Sequence, residues 1–111
     1  DPEYNRPFEQ VRGFILGTTE NTQNEALLKV SGSTDAKRLA SAVSHAIYDN
    51  KEVTLRTIGA GSVNQAIKAV AISNSFVGSR GIRLGVIPAF TTLPMKDGDV
   101  TAMTLRVIKL D

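Results

Sequence analysis

The stretch from Thr57 to Ile72, TIGAGSVNQAIKAVAI, constrains the fold more than any other part of the chain. Just before it, Val53 and Leu55 alternate with Thr54 and Arg56, the period-two pattern of a half-buried strand, and Gly59 and Gly61 end that strand. Ser62 with Gln65 three residues later has the form of a capping box, so the spacing predicts a helix from there to about Phe76, where VGSRG stops it. A strand that turns directly into a helix is a building block of layered α/β folds.

The flanking segments complete the set. ALLKVSG reads as a short strand ending at Gly32. In the segment after it, Thr34 or Asp35 is placed to cap a helix whose apolar positions are Ala36, Leu39, Ala40, Val43 and Ile47, with Lys37, Arg38, Ser41 and Ser44 elsewhere on the cylinder. IRLGVIPAF reads as a third strand, rich enough in Ile, Leu and Val to be largely buried, and Pro88 places its far end at a sheet edge or bulge. TTLPMKDGD, with Pro94 and an Asp-Gly pair, reads as a hairpin loop. VTAMTLRVIKL alternates as a strand with one wet face, on which Arg106 lies, as Arg56 does on its own strand. The order is βαβαββ. The expected fold is an α/β two-layer sandwich with two helices on one face of a four-stranded mixed sheet.

At 111 residues the chain has room for one such core. Residues 27–111 are expected to form the domain, and residues 1–26 a flexible extension with one apolar segment, Val11 to Leu16, suited to docking on the domain or on a protein partner. The net charge of +2 conceals a split. Residues 1–26 carry −3, from Arg6 and Arg12 against Asp1, Glu3, Glu9, Glu20 and Glu25, whereas residues 27–111 carry +5. The basic character belongs to the domain and favours a polyanionic partner. No apolar run reaches the ~20 residues that cross a bilayer, so no membrane contact is expected and the expected location is the cytoplasm, nucleoid association included. An organelle reached through a removed targeting segment stays open.

The chain has no cysteine, which removes disulfides, thiolate metal sites and cysteine nucleophiles. Its one histidine, His45, has no carboxylate at ligand spacing, and no metal cluster or acid/base pair can be assembled from neighbouring motifs. No catalytic residue, metal or cofactor is therefore expected. The Gly-x-Gly turn does not change this. Asn64 stands where a dinucleotide fingerprint needs its third glycine, no acid follows about 20 residues on, and no Gly-Lys-Ser/Thr completes a phosphate loop. Two readings of the turn remain: a tight turn with Ser62 as a simple cap, or a helix start whose free N–H groups meet a phosphate.

The second helix carries two apolar stripes, one of Val63, Ala66, Ile67, Val70 and Ala71, the other of Ala69, Ile72 and Phe76. A helix on a two-layer surface needs one, so the second must cover the first helix or a second subunit, and a homodimer is the preferred reading. Lys37 and Arg38 at the start of the first helix, Arg80 and Arg83 before the third strand and Lys96 in the hairpin are cations on loops and tips, where separate phosphates come within reach.

LLKVSGST, IGAGSVNQAIKAVAI and GVIPAFTTLPMKDGDVTAMTLRV together resemble, in order and spacing, the stage V sporulation protein S family, over Leu27 to Leu110. The resemblance implies the Alba-like fold, which generally forms dimers and in its chromatin-protein relatives binds DNA or RNA. In those relatives the first strand-to-helix loop and the start of the second helix face nucleic acid, and the terminal hairpin reaches along the groove. In this chain those parts correspond to Ser31–Arg38, Gly59–Lys68 and Thr92–Asp99. One departure is Ser33, where family members often carry a lysine.

The expected function is thus a non-enzymatic, dimeric, nucleic-acid-binding domain that grips DNA or RNA backbones with little base specificity. Its expected contacts are Lys37, Arg38, Gly59, Gly61, Ser62, Asn64, Gln65, Lys68, Arg80, Arg83 and Lys96. The alternative is a protein-interaction or scaffold subunit that uses the same surface and residues 1–26.

Overall fold

The structure, a computed structural model, describes residues 20–21 and 24–110. In chain order its elements are β1 (Glu20–Asn21), β2 (Glu25–Val30), α1 (Ala36–Tyr48), β3 (Glu52–Thr57), α2 (Ala60–Gly78), β4 (Arg83–Met95) and β5 (Gly98–Leu110). From β2 onward this is the expected βαβαββ order. The sheet runs β1-β2-β3-β5-β4 and is mixed. β2 and β3 are parallel because α1 connects them, and the other neighbours are antiparallel.

Two differences concern the start of the domain. β2 opens at Glu25, and β1 adds a short edge strand with Glu20 opposite Leu27 and Asn21 opposite Ala26. The sheet therefore reaches into the part of the sequence read as an extension, because backbone pairing along an edge needs no apolar side chains. Val11 to Leu16 lies outside the described residues.

Strand alternation sends Ala26, Leu28 and Val30 of β2, Val53 and Leu55 of β3, and Leu105 and Val107 of β5 to one face, all buried. Leu39, Val43 and Ile47 of α1 and Ala66, Val70 and Val77 of α2 close over them. Fully burying a leucine, isoleucine or valine side chain is worth about 1.5–3 kcal/mol, so this layer supplies most of the driving force. α1 is started by Asp35, whose carboxylate accepts the backbone N–H groups of Lys37 at 2.9 Å and Arg38 at 3.3 Å.

The helices meet through small residues. Ala40, Ala66 and Ala69 are fully buried between or beneath them. Ser44 and Ser73, also buried, share a hydrogen bond of 2.9 Å, and the Ser73 hydroxyl donates to the Ala40 carbonyl at 2.9 Å. This corrects the reading of the second stripe. Ala69 is sealed inside the chain, Ile72 packs on the core, and the Phe76 carbonyl accepts from the Tyr48 hydroxyl at 3.4 Å, so the Ala69–Ile72–Phe76 side belongs to the α1 contact. The stripe expected to stay inside instead leaves Ile67 exposed.

The C-terminal hairpin is longer than its sequence pattern. Thr91 to Met95, read as loop, continues β4, and only Lys96 and Asp97 turn, with Met95 opposite Gly98. Positive φ falls on Gly98 at 118°, a conformation glycine adopts without strain. Pro94 is accommodated because β4 is the outermost strand, and the same holds for Pro88.

Candidate nucleic-acid interface

β2 and β3 end together, Val30 opposite Thr57, and each passes to a helix at that end of the sheet. The amino ends of α1 and α2 therefore lie side by side. Their contact is close: a Cβ on Gly61 would stand 3.4 Å from the Gly32 Cα, so two backbones touch where a methyl group just fits and a branched side chain would wedge them apart. Gln65 ties the pair from the other side, its Nε2 donating to the Thr34 carbonyl at 2.8 Å. The intervening loop is organised by its own hydroxyls. The Ser31 N–H donates to Thr34 Oγ1 at 2.8 Å, and the Ser33 N–H donates to Ser31 Oγ at 3.3 Å. Ser33 itself is exposed.

The start of α2 differs from the expected capping box. Gly59 is the N-cap, with φ 90°, and makes no side-chain cap hydrogen bond. Ser62 falls inside the first turn, is 1% exposed, and donates at 2.8 Å to both the Ile58 and Gly59 carbonyls. Its hydroxyl is spent inward, so Ser62 presents no side chain to a ligand. The reason lies in Gly59: its positive φ turns the chain sharply enough for the helix to begin at Ala60, two residues ahead of the predicted start. The first intrahelical bond runs from the Val63 N–H to the Gly59 carbonyl at 3.3 Å, which leaves the N–H groups before it without a helical acceptor, the usual state of an uncapped amino end.

Around this paired helix start stand Lys37, Arg38, Asn64 and Lys68, all exposed. Lys68 Nζ donates to Gln65 Oε1 at 3.3 Å, which connects its charge to the Gln65–Thr34 link. The hairpin reaches the same end. β5 leaves β3 beyond Met103, so Gly98–Ala102 and Thr91–Met95 project as a two-stranded arm, about 17 Å at ~3.4 Å per residue. Lys96 tips the arm but sits beside Asp97 and close to Asp99, so the tip adds reach without adding net positive charge.

Two predicted contacts are not brought here. Arg80 follows the carboxyl end of α2, roughly 27 Å from its start for 19 residues at ~1.5 Å each, and Arg83 opens β4 at that opposite end. Arg80 is held there by Tyr48, its guanidinium carbon 4.3 Å from the ring centroid. Of the predicted set, then, Lys37, Arg38, Gly59, Gly61, Asn64, Gln65 and Lys68 share one end, Lys96 overhangs it, Ser62 faces inward, and Arg80 and Arg83 lie apart. Gly32 and Thr34, which hold the end together, were missed as contacts. Gly32 in VSGST was the available signal, a glycine where the strand already had a polar end.

Among the described residues, no group of three or more His, Asp or Glu is placed to hold a metal ion. None of the described helices is long and apolar enough to cross a membrane.

Fold and site together define a small α/β two-layer sandwich that gathers two helix starts, a hydroxyl-rich loop and several cations at one end of its sheet. The sequence profile of one family, Stage V sporulation protein S, matches residues 26–110, and the chain belongs to that family.

Proposed function

We propose that this chain is a non-enzymatic, nucleic-acid-binding protein that acts as a dimer and holds DNA or RNA by its phosphate backbone. The observation that carries the reading is the fixed juxtaposition of the two helix starts through Gly32, Gly61 and the Gln65–Thr34 hydrogen bond. It sets open N–H groups of α2 beside Lys37, Arg38 and Lys68, so that one phosphate meets dipole and charge while neighbouring phosphates meet the other cations. The arm supplies backbone and hydroxyl contacts along the polymer. Base readout is not part of the proposal, because the side chains gathered at this end are cations, amides and hydroxyls suited to phosphate oxygens.

Dimerisation is assigned to the flank of α2 that faces β4. Asn74 marks that flank by its bonds to Leu84, and about two and three turns earlier on it stand Ile67 and Val63. Ile67 is 44% exposed and Phe90, on the helix-facing side of β4, is 76% exposed. Pairing such flanks about a twofold axis would cover both residues and double the number of basic ends.

A salt-titrated mobility shift against DNA and RNA, with the mass of the free protein in solution, tests the reading. Binding is expected to weaken steeply from low to moderate salt, equally for unrelated sequences. No binding at low salt would reject it. The scaffold alternative draws on Ser33 in place of a lysine and on the acids around Lys96, both of which lower the local positive charge. Removing residues 1–19, which spares β1 and β2, separates the two: a scaffold loses its partner, whereas a nucleic-acid binder keeps or gains affinity.

A further inference from the structure

Between α1 and α2, on the outer side of the helix layer, two hollows of about 560 and 460 Å³ share Ser41 and Phe76 in their walls and so form one continuous groove. Its floor is apolar where Ile72 and Phe76 lie, and Phe76, a large aromatic beside the α1 contact, remains 46% exposed. Lys37 and Arg38 stand at one end. Tyr48, Asp49 and Arg80 stand at the other, with the guanidinium stacked 4.3 Å from the Tyr48 ring centroid. The formal charge of the groove is therefore positive, and the excess sits at the Lys37–Arg38 end. The charged groups of Lys37 and Arg38 are exposed at that end.

We infer that this groove is a docking site for an acidic amphipathic helix of a protein partner. The occupant places apolar side chains at i, i+3 and i+4 spacing on Ile72 and Phe76 and carboxylates against Lys37 and Arg38. The distance from Lys37 to Tyr48 along α1 is about 17 Å at ~1.5 Å per residue, which matches three turns of a bound helix. Charge complementarity chooses an acidic segment over a basic one, and the apolar floor chooses a peptide over a nucleic-acid strand, which has no side chain to seat there. Arg80 closes the far end as a cation immobilised by stacking, so it can accept a further carboxylate with little loss of its own freedom. This surface lies along the helices, away from the arm, and meets the proposed nucleic-acid end only at Lys37 and Arg38. Partner and nucleic acid would accordingly compete there.

The probe is a fluorescein-labelled 14-residue helical peptide with leucines at i, i+3, i+4 and i+7 and glutamates at both ends, and its control has every glutamate replaced by lysine. Titrated with the full chain, the glutamate peptide is expected to show saturable anisotropy, with amide shifts in α1 and α2 lining the groove. Arg80→Glu and, separately, Phe76→Ser are expected to weaken it at least tenfold, while Lys96→Glu leaves it unchanged. Arg80→Glu should also leave DNA and RNA binding within about twofold, so the groove and the nucleic-acid end can fail independently. Equal binding of the lysine peptide, no binding of either, or insensitivity to both groove variants would overturn the inference. Because the chain has no cysteine, a single Phe8→Cys spin label reports on a competing occupant. Broadening of groove amides by that label in the free protein, or groove shifts that depend on protein concentration alone, would assign the groove to the chain's own leading segment or to a second copy and likewise overturn it.

Discussion

Gly32 and Gly61, 29 positions apart in sequence, touch backbone to backbone, with room for at most one methyl group between them: a Cβ on Gly61 would lie 3.4 Å from the Gly32 Cα. This approach aligns the starts of both helices, so it links the stability of the fold to the shape of the candidate interface.

Gly61→Val is expected to lower stability by about 1–3 kcal/mol, because the added methyls have backbone on the far side and cannot be absorbed by a side-chain shift. Gly61→Ala is expected to be nearly neutral, since the roughly 1 kcal/mol preference of a helix for alanine over glycine offsets the tight fit. Urea midpoints at constant slope measure both. A valine variant as stable as the parent would mean the loop and α2 are not in contact in solution.

The buried Ser44–Ser73 pair makes a second stability prediction. Ser73→Ala removes both the donor to the Ala40 carbonyl and the acceptor for the Ser44 hydroxyl, and is expected to cost about 1–3 kcal/mol. Adding Ser44→Ala should then cost less than it does in the parent chain, because the orphaned hydroxyl is removed with its partner. Additive losses in the double-mutant cycle would show that the two hydroxyls act separately.

Charge reversal tests the placement of the cations. Lys37→Glu with Arg38→Glu is expected to weaken DNA and RNA binding on all sequences alike and to flatten the dependence on salt, by about 0.7–0.9 in slope for each phosphate no longer neutralised. Arg83→Glu, at the opposite end of the sheet, is expected to change affinity by no more than about twofold. Equal weakening by the two variants would mean that the polymer does not select the paired helix starts.

Ile67→Glu is expected to shift the protein to monomer mass in analytical ultracentrifugation with an unchanged circular dichroism spectrum, since Ile67 is exposed within one chain and its loss disturbs no core. Weaker nucleic-acid binding should accompany it, because one basic end is left where two acted together. A parent chain that is already monomeric at working concentration would remove the basis for the dimer.

The periodicities in the sequence were enough for the element order from β2 onward and for the faces that β3 and β5 bury, but not for β4, whose apolar run IRLGVIPAF reads as largely buried and yet leaves Ile87 and Phe90 exposed because it is the outermost strand. Val53, Leu55, Leu105 and Val107 alternate as a two-layer sheet requires, and of the edge or bulge that Pro88 signalled the structure shows the edge. Local chemistry was also enough for Asp35 as the α1 cap, one of two residues the pattern allowed. It was not enough for α2. Ser62 and Gln65 have capping-box spacing, yet the Gly59 backbone starts the helix earlier, Ser62 turns inward and Gln65 reaches Thr34, 31 residues away. The Pro94 and Asp-Gly signals likewise concealed the length of the hairpin, because pairing between β4 and β5 continues through residues that look like loop in isolation.

The sequence by itself determined which residues are cationic, that cysteine is absent, and the order of helices and strands from β2 onward. Only the tertiary structure decided which cations lie at one end of the fold. Lys37, Arg38 and Lys68 meet because parallel β2 and β3 end side by side, while Arg80 and Arg83 are carried to the other end by the length of α2. It also decided which side of α2 remains free, since Ala69 and Ser73 are covered by α1 and Ile67 is not. The physical reason is the same in each case. Periodicity and capping act over a few residues, whereas sheet register, the Gly32–Gly61 approach and the packing of one helix on another join positions about 30 residues apart, and no local pattern encodes that distance.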